Sequence, residues 1–289
     1  MGIRALYEKH YKKLMIIPFL LLLFAIIQIA YQTATTGDFI HKGVSLKGGV
    51  TITIQKPISV HELEQFLKKK FPKADIQVRA LSKAGKQTAT IVEASDINTD
   101  QLQSVLKENL GDDVEFSVEV MGSALGESFF RQTTKALIFA FIFMAIVVFF
   151  YFKTFTPSIA VILAAVSDII VTLAIVNLLG IRLSTAGIAA FLMLIGYSVD
   201  TDILLSTKTL RRKENPVQGI YAAMKTGLMM TATTLTAVTI ALILAQSPVL
   251  KQIMTILLIG LLVDLPNTWL QNAGILRIYL ERKKKKWER

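Results

Sequence analysis

Cysteine is absent from the 289 residues, and its absence excludes disulfides, thiol nucleophiles and Cys-ligated metal sites. Charge is scarce as well: 18% of the residues are Asp, Glu, Lys or Arg, against 53% hydrophobic. That balance is too apolar for an ordinary water-soluble domain and marks an integral membrane protein. No Lys or Arg stands deep inside the long apolar runs. The net charge of +11 comes from basic residues gathered near the chain ends and in one loop between runs. Such clusters are topology signals at a membrane surface, and a nucleic-acid partner is not expected.

Six apolar runs are present, at residues 14–30, 133–152, 157–177, 184–206, 227–246 and 253–275. Each approaches the roughly 20 residues that a membrane-crossing helix needs. The first follows Arg4, Lys9, Lys12 and Lys13, which is also how a signal peptide begins. No small-x-small cleavage site follows Ala30, so it reads as a retained helix. Six crossings put both termini on one side. Lys153, the loop bearing Lys208, Arg211, Arg212, Lys213 and Lys225, and the basic residues 282–286 fall on that same side. The positive-inside rule then makes the termini cytoplasmic and the stretch between the first two helices extracytoplasmic.

That stretch has a different texture. Val50, Ile52 and Ile54 alternate with polar residues as in a half-buried strand. Ser59 with Glu62 forms a capping-box pattern ahead of a helix whose apolar face is Leu63, Phe66, Leu67 and Phe71. Ile76, Val78 and Ala80 alternate again, a turn at residues 82–86 contains Gly85, and Thr88 opens a further strand. Asn98 can cap a second helix carrying Leu102, Val105, Leu106 and Leu110, and Val114, Phe116, Val118 and Val120 close the series. The order strand, helix, strand, strand, helix, strand is the ferredoxin-like arrangement. It contains no nucleophile with a base, no metal-ligand cluster and no phosphate loop, and His41 and His61 stand alone. Contact with other protein surfaces is the expected use of such a domain. The expected fold is a bundle of six transmembrane helices with one extracytoplasmic α+β ferredoxin-like domain inserted between helices 1 and 2. Its parts are residues 1–36 (tail and first helix), 37–122 (outer domain) and 123–289 (helices 2 to 6 and a basic tail).

Four acids interrupt the membrane runs: Asp168 in the third, Asp200 and Asp202 in the fourth, and Asp264 in the sixth, the last followed by Pro266, Asn267 and Asn272. A carboxylate at membrane depth costs about 2.5–3.5 kcal/mol, so each faces protein or water. Residues two apart on a helix point about 200° apart, so Asp200 and Asp202 cannot share a face. Asp200, one turn after Gly196, ranks first, and Asp202 reads as a solvated helix end. With no cation in reach, such an acid is protonated, binds a cation or meets a charge from a partner. Thr231, Thr233, Thr234, Thr236 and Thr239 of the fifth run offer hydroxyls to a carboxyl in either state, which suits a proton relay. For Asp168 and Asp264 the alternative of a protonated acid that binds helices together stays open.

The heptapeptide Gly196-Tyr197-Ser198-Val199-Asp200-Thr201-Asp202 resembles the acidic motif in the fourth transmembrane helix of the SecF branch of the SecD/SecF family. Residues 43–49, with Gly43, Gly48 and Gly49, resemble that family's Gly-x-Asp-Phe-x-Gly-Gly signature, with Ser45 and Leu46 in place of Asp and Phe. Residues 122–127, from Gly122 through Gly126 to Glu127, resemble the stem that returns to the membrane, without its proline. Residues 196–205 and 260–269 look most like the archaeal form, and Asp168 falls where the family carries an Asp in its third span. In bacterial SecF the motif's Asp falls where Thr201 stands, whereas Asp200 matches the register of SecD. Lys225 and Thr226 occupy the region of an Arg that bacterial relatives associate with proton coupling. The resemblance implies an auxiliary subunit of the Sec protein-export machinery in the cell membrane. It would act with a SecD-like subunit and the Sec translocation channel on a translocating polypeptide, with no enzymatic activity, metal or cofactor. Two alternatives remain: half of a resistance-nodulation-division exporter of small solutes, and an intramembrane aspartyl protease. The latter normally has Gly-x-Gly before its Asp, where this chain has Tyr-Ser-Val.

Overall fold

A computed structural model describes residues 3–83, 86–111, 114–211 and 216–287. Gly85, Arg212 and Lys213 lie outside the described residues, as do the side chains of Lys284, Lys285 and Lys286. Six helical stretches are long and apolar enough to cross a membrane, as the hydropathy pattern predicts. The first joins α1 (Ile3–Leu14) to α2 (Ile16–Thr36). The other five are α6 (Ser123–Phe152), α7 (Phe155–Leu178), α8 (Thr185–Arg211), α9 (Pro216–Leu244), and α10 (Pro248–Pro266) continued through residues 267–272 into α11 (Ala273–Trp287).

Between α2 and α6 the chain forms a short helix α3 (Val44–Lys47), then β1 (Gly49–Ile54), α4 (Val60–Lys70), β2 (Asp75–Lys83), β3 (Lys86–Ser95), α5 (Thr99–Leu110) and β4 (Phe116–Met121). The four strands make one antiparallel sheet in the order β2-β3-β1-β4, with Ile52 of β1 opposite Val92 of β3 and Val118 of β4. Period-two alternation puts Val50, Ile52 and Ile54 on one face of the sheet, fully buried against Leu63 and Leu67 of α4 and Leu102 and Leu106 of α5. Asn98 caps α5, its side-chain oxygen accepting from the amides of Asp100 at 2.9 Å and Gln101 at 3.3 Å. The capping box expected at Ser59 is not formed: that residue precedes α4, but its side chain makes no cap hydrogen bond. Val114 packs on the core ahead of β4 without joining the sheet.

The glycine motifs leading into and out of this domain meet one another. Gly48 and Gly49 adopt φ of +92° and +134°, conformations only glycine holds without strain. A Cβ on Gly48 would lie 2.5 Å from the Ser123 Cα, and one on Gly126 would lie 2.9 Å from the Gly48 amide nitrogen. The sheet also rests on the bundle. Arg182, in the α7–α8 loop, pairs with Asp75 at 2.5 Å, Gln77 donates to the Gly180 carbonyl at 3.4 Å, and Lys251 donates to the Ser82 carbonyl. Helix α8 therefore starts at the sheet-domain end of the bundle and runs away from it.

Candidate functional site: a carboxyl cluster inside the helix bundle

Helix α8 separates its two acids completely. Asp202 is fully buried, on one stripe with the buried Ser198, Ser206 and Thr209. Asp200 points outward together with Gly196 and Tyr197, the latter 44% exposed. The expectation that Asp200 faces the interior while Asp202 ends the helix in solvent is thus reversed. Two causes act together: the buried stripe of α8 runs through Ser198 and Asp202 and so turns Asp200 away, and α8 continues to Arg211, five residues past the apolar run, so Asp202 is more than two turns from its end.

Asp202 meets two other acids. Asp168 of α7 and Asp264 of α10 are each 1% exposed. Pro266 supplies no amide hydrogen to the helix ladder, and the chain takes one wide π turn at Asn267–Asn272 before regular winding resumes. That turn presents two pairs of polar residues. Asn267 and Gln271 face α7: Asn267 Nδ2 donates to Asp168 Oδ1 at 2.7 Å and Gln271 Nε2 to the Ser167 hydroxyl at 3.3 Å. Thr268 and Asn272 face α8: Asn272 Nδ2 donates to Asp202 Oδ1 at 2.7 Å, and Thr268 Oγ1 lies 3.0 Å from it. Ser198 completes the set by donating to Asp168 Oδ2 at 2.5 Å.

Thr268 sets the chemistry. Its single hydroxyl oxygen lies 3.0 Å from Asp202 Oδ1 and 3.0 Å from Asp264 Oδ1. A hydroxyl has one proton to donate, so it satisfies one carboxylate as donor and the other in full only when that carboxyl is protonated and donates in turn. No Lys or Arg forms an ion pair with any of the three acids among the described residues. Geometry and charge both suit a cluster that holds at least one proton and can pass it between helices.

A family profile described as protein export membrane protein SecD/SecF, C-terminal, matches residues 101–282. The protein-export membrane protein SecF of Pyrococcus furiosus is 40% identical over 286 residues, covering 98% of this chain and 96% of that relative. SecF of Methanocaldococcus jannaschii is 39% identical over 288 residues, covering 94% and 96%. The chain belongs to the SecF family. The fold agrees: the crystal structure of SecDF, a translocon-associated membrane protein from Thermus thermophilus, superposes with a TM-score of 0.76 at 20% identity. That match covers 96% of this chain and 40% of the Thermus chain. A second SecDF structure, in a super-membrane-facing form, gives 0.55 at 19% identity.

In this SecF-family chain the other residues singled out from the sequence fall in three places. Thr201 packs toward α9, where its methyl group faces Gly227, and its hydroxyl donates to the Tyr197 carbonyl at 3.3 Å. Thr231 is buried, but no α9 hydroxyl reaches a carboxylate among the described residues. Thr233, Thr234 and Thr236 donate instead to the Met230 and Ala232 carbonyls of their own helix, the usual retreat of a hydroxyl in an apolar medium. Thr226 is engaged by Lys208, whose ammonium lies 2.7 Å from its hydroxyl.

Thr268, Gln271, Ser206 and Thr209 are the members that composition and motif reading missed. A signal for the last two was present in the sequence: Ser198, Asp202, Ser206 and Thr209 recur at spacings of four, four and three, one stripe of a helix.

Proposed function

We propose that this chain is a SecF-like auxiliary subunit of the Sec protein-export machinery. It works with a SecD-like subunit beside the Sec translocation channel, in the lipid bilayer of the cell membrane, on a polypeptide in transit. Residues 37–122 form an extracytoplasmic ferredoxin-like domain between helices 1 and 2, residues 1–36 and 123–289 supply the membrane part, and both termini are cytoplasmic. Family membership supports the export role. The excess of Lys and Arg in the tails and the α8–α9 loop supports the orientation.

The membrane part moves protons, or responds to them, through Asp168, Asp202 and Asp264. The observation that carries this reading is the Thr268 hydroxyl placed 3.0 Å from two carboxyl oxygens at once. Asp200, with Gly196 and Tyr197 on the outward face of α8, then serves the SecD-like partner: a carboxylate at that depth calls for a donor or cation from the neighbouring helix. Reconstituted export, compared across Asp168→Asn, Asp202→Asn and Asp200→Asn, tests both roles. The first two variants should lose export stimulation while co-purifying with the partner, and the third should weaken co-purification. Full export with Asn at both 168 and 202 would remove the proton role.

A further inference from the structure

Buried polar atoms without a partner lie on both sides of the carboxyl cluster in the membrane part. Five of them continue from the carboxyl cluster toward the end of the bundle opposite the sheet domain: Asp202 Oδ2, Asn272 Oδ1, Ser206 Oγ, Thr209 Oγ1 and the Trp269 indole nitrogen. Asp202, Ser206, Thr209 and Asn272 have no measurable exposure. Asp202, Ser206 and Thr209 lie on the same stripe of α8, and at about 1.5 Å per residue they carry polar groups some 10 Å from the acid toward the basic end of that helix.

On the sheet-domain side the bundle is closed differently. Between Thr185 and Tyr197, roughly 18 Å apart at the same rise, α8 carries no polar side chain. Phe191 and Leu194 of α8 pack there with Ile256, Leu257 and Leu261 of α10 in one apolar cluster. Leu194 fills the notch at Gly260, where any side chain would collide with it. On this side the orphaned atoms among the described residues are Thr172 Oγ1, a single turn from Asp168, and, nearer the sheet domain and away from the α8 stripe, Gln28 Oε1 and Gln32 Nε2 of α2 and Asn177 Oδ1 of α7.

Buried polar groups in folded proteins are met by protein or by ordered water, and a site with several convergent polar atoms holds water where an apolar one stays dry. We propose that Ser206 and Thr209 line a hydrated path that connects Asp202 to the membrane face opposite the sheet domain, while the Phe191–Leu194–Leu261 layer keeps the acid cluster sealed from the sheet-domain side. In this conformation protons or small monovalent cations reach the carboxyls from one face only. The inference deepens the proton role given above and names the face from which the cluster is loaded.

The cysteine-free chain permits a direct test. Ser206→Cys, Thr209→Cys, Thr172→Cys and Leu194→Cys are made singly in the full-length chain, assembled in oriented membrane vesicles. Each is treated from either face with silver ion, a small thiol-reactive cation, and the unreacted thiol is counted after denaturation with a maleimide. Because a thiol in dry apolar surroundings is poorly reactive, positions 206 and 209 should react at least about tenfold faster from the face opposite the sheet domain than positions 172 and 194 do from either face. Position 206 or 209 reacting as slowly as 194 from both faces, or faster from the sheet-domain face, overturns the path. Two substituted hydroxyls on one stripe guard against a single misfolded variant. Export by Asp202→Asn is measured in parallel. Fast labelling with undiminished export leaves the wet path standing and removes the proton role, whereas silent cysteines with lost export do the reverse.

Discussion

The two interiors of this molecule are built on opposite plans. Under the sheet, Val50, Ile52, Ile54, Leu67, Leu102 and Leu106 make a wholly apolar core, because there water is the solvent and burial of hydrocarbon drives folding. In the bundle many apolar side chains face outward, with Ile142, Phe143, Val147 and Phe150 of α6 among the exposed ones, and beside the buried layer of Phe191, Leu194 and Leu261 the centre holds three acids, two asparagines and a glutamine. Lipid removes the incentive to hide hydrocarbon, so packing and polar contacts hold the helices together, and each polar group kept there needs a partner. The sheet domain thus spends its interior on stability, and the bundle spends part of its interior on chemistry.

That contrast can be broken at either end. The largest effect is expected from Ile52→Ala, which opens a cavity at the centre of the sheet core and should cost about 2–5 kcal/mol. Limited proteolysis of the full chain should then cut within residues 49–121 while α6 to α11 stay intact, and simultaneous loss of both regions would mean the interiors are not independent. Thr268→Val keeps the shape but leaves two carboxyl oxygens short of a hydroxyl, at a cost of about 1–3 kcal/mol. Thermal unfolding in detergent should register that loss, and Thr268→Ser should recover most of it. Arg182→Ala removes one ion pair between bundle and sheet, worth about 0.2–1 kcal/mol when exposed. Faster amide exchange around Asp75, with unchanged exchange around Asp202, would be the sign.

The smallest effect concerns Glu64 of α4. Burial works against its ionised form, but Lys68, the Val78 amide at 3.2 Å and the field of Arg182 outweigh it and hold the carboxyl below its ordinary value of 4.5. The folded state binds this proton less readily than the unfolded chain does. Its contribution is therefore complete above about pH 4.5 and fades as the pH falls through the lower folded value. Glu64→Gln should lower stability slightly at neutral pH, leave it unchanged at the lowest pH where the contribution is already gone, and so flatten that part of the acid-unfolding curve.

The layout was legible wherever one solvent dominates. Six apolar runs gave six helices, and strict alternation at Val50, Ile52 and Ile54 identified the central strand, because each pattern answers to a single burial direction. Ser59 was misread because a side chain of the right type need not turn toward the helix it precedes. The acids were harder to assign. Asp200 is favoured by the space beside Gly196 one turn earlier and Asp202 is set aside by its position near the end of the apolar run, whereas the outcome depends on which face of α8 is buried, and the 4-4-3 recurrence of Ser198, Asp202, Ser206 and Thr209 carried that information. The α9 threonines drew attention by their number, yet a hydroxyl can always satisfy itself one turn back. Thr268 could not be weighted correctly without the wide turn that aims it, and that turn follows from Pro266 together with the packing of three helices.

The π turn at Asn267–Asn272 also bears on which mutations this family member can survive. A turn wound one residue wider than regular sets the aim of its own side chains by its length, so exchanging side chains there alters contacts one at a time while dropping a single residue alters the aim of Asn267, Thr268, Gln271 and Asn272 together. A single wide turn takes up one residue more than a regular turn, so excising one residue from this segment would restore ordinary winding, leave α11 in nearly its present direction, and re-aim the polar residues of the turn itself. Conservative replacements at Leu270 should be tolerated, and a one-residue deletion at the same place should not. At this point in the chain, count matters more than identity.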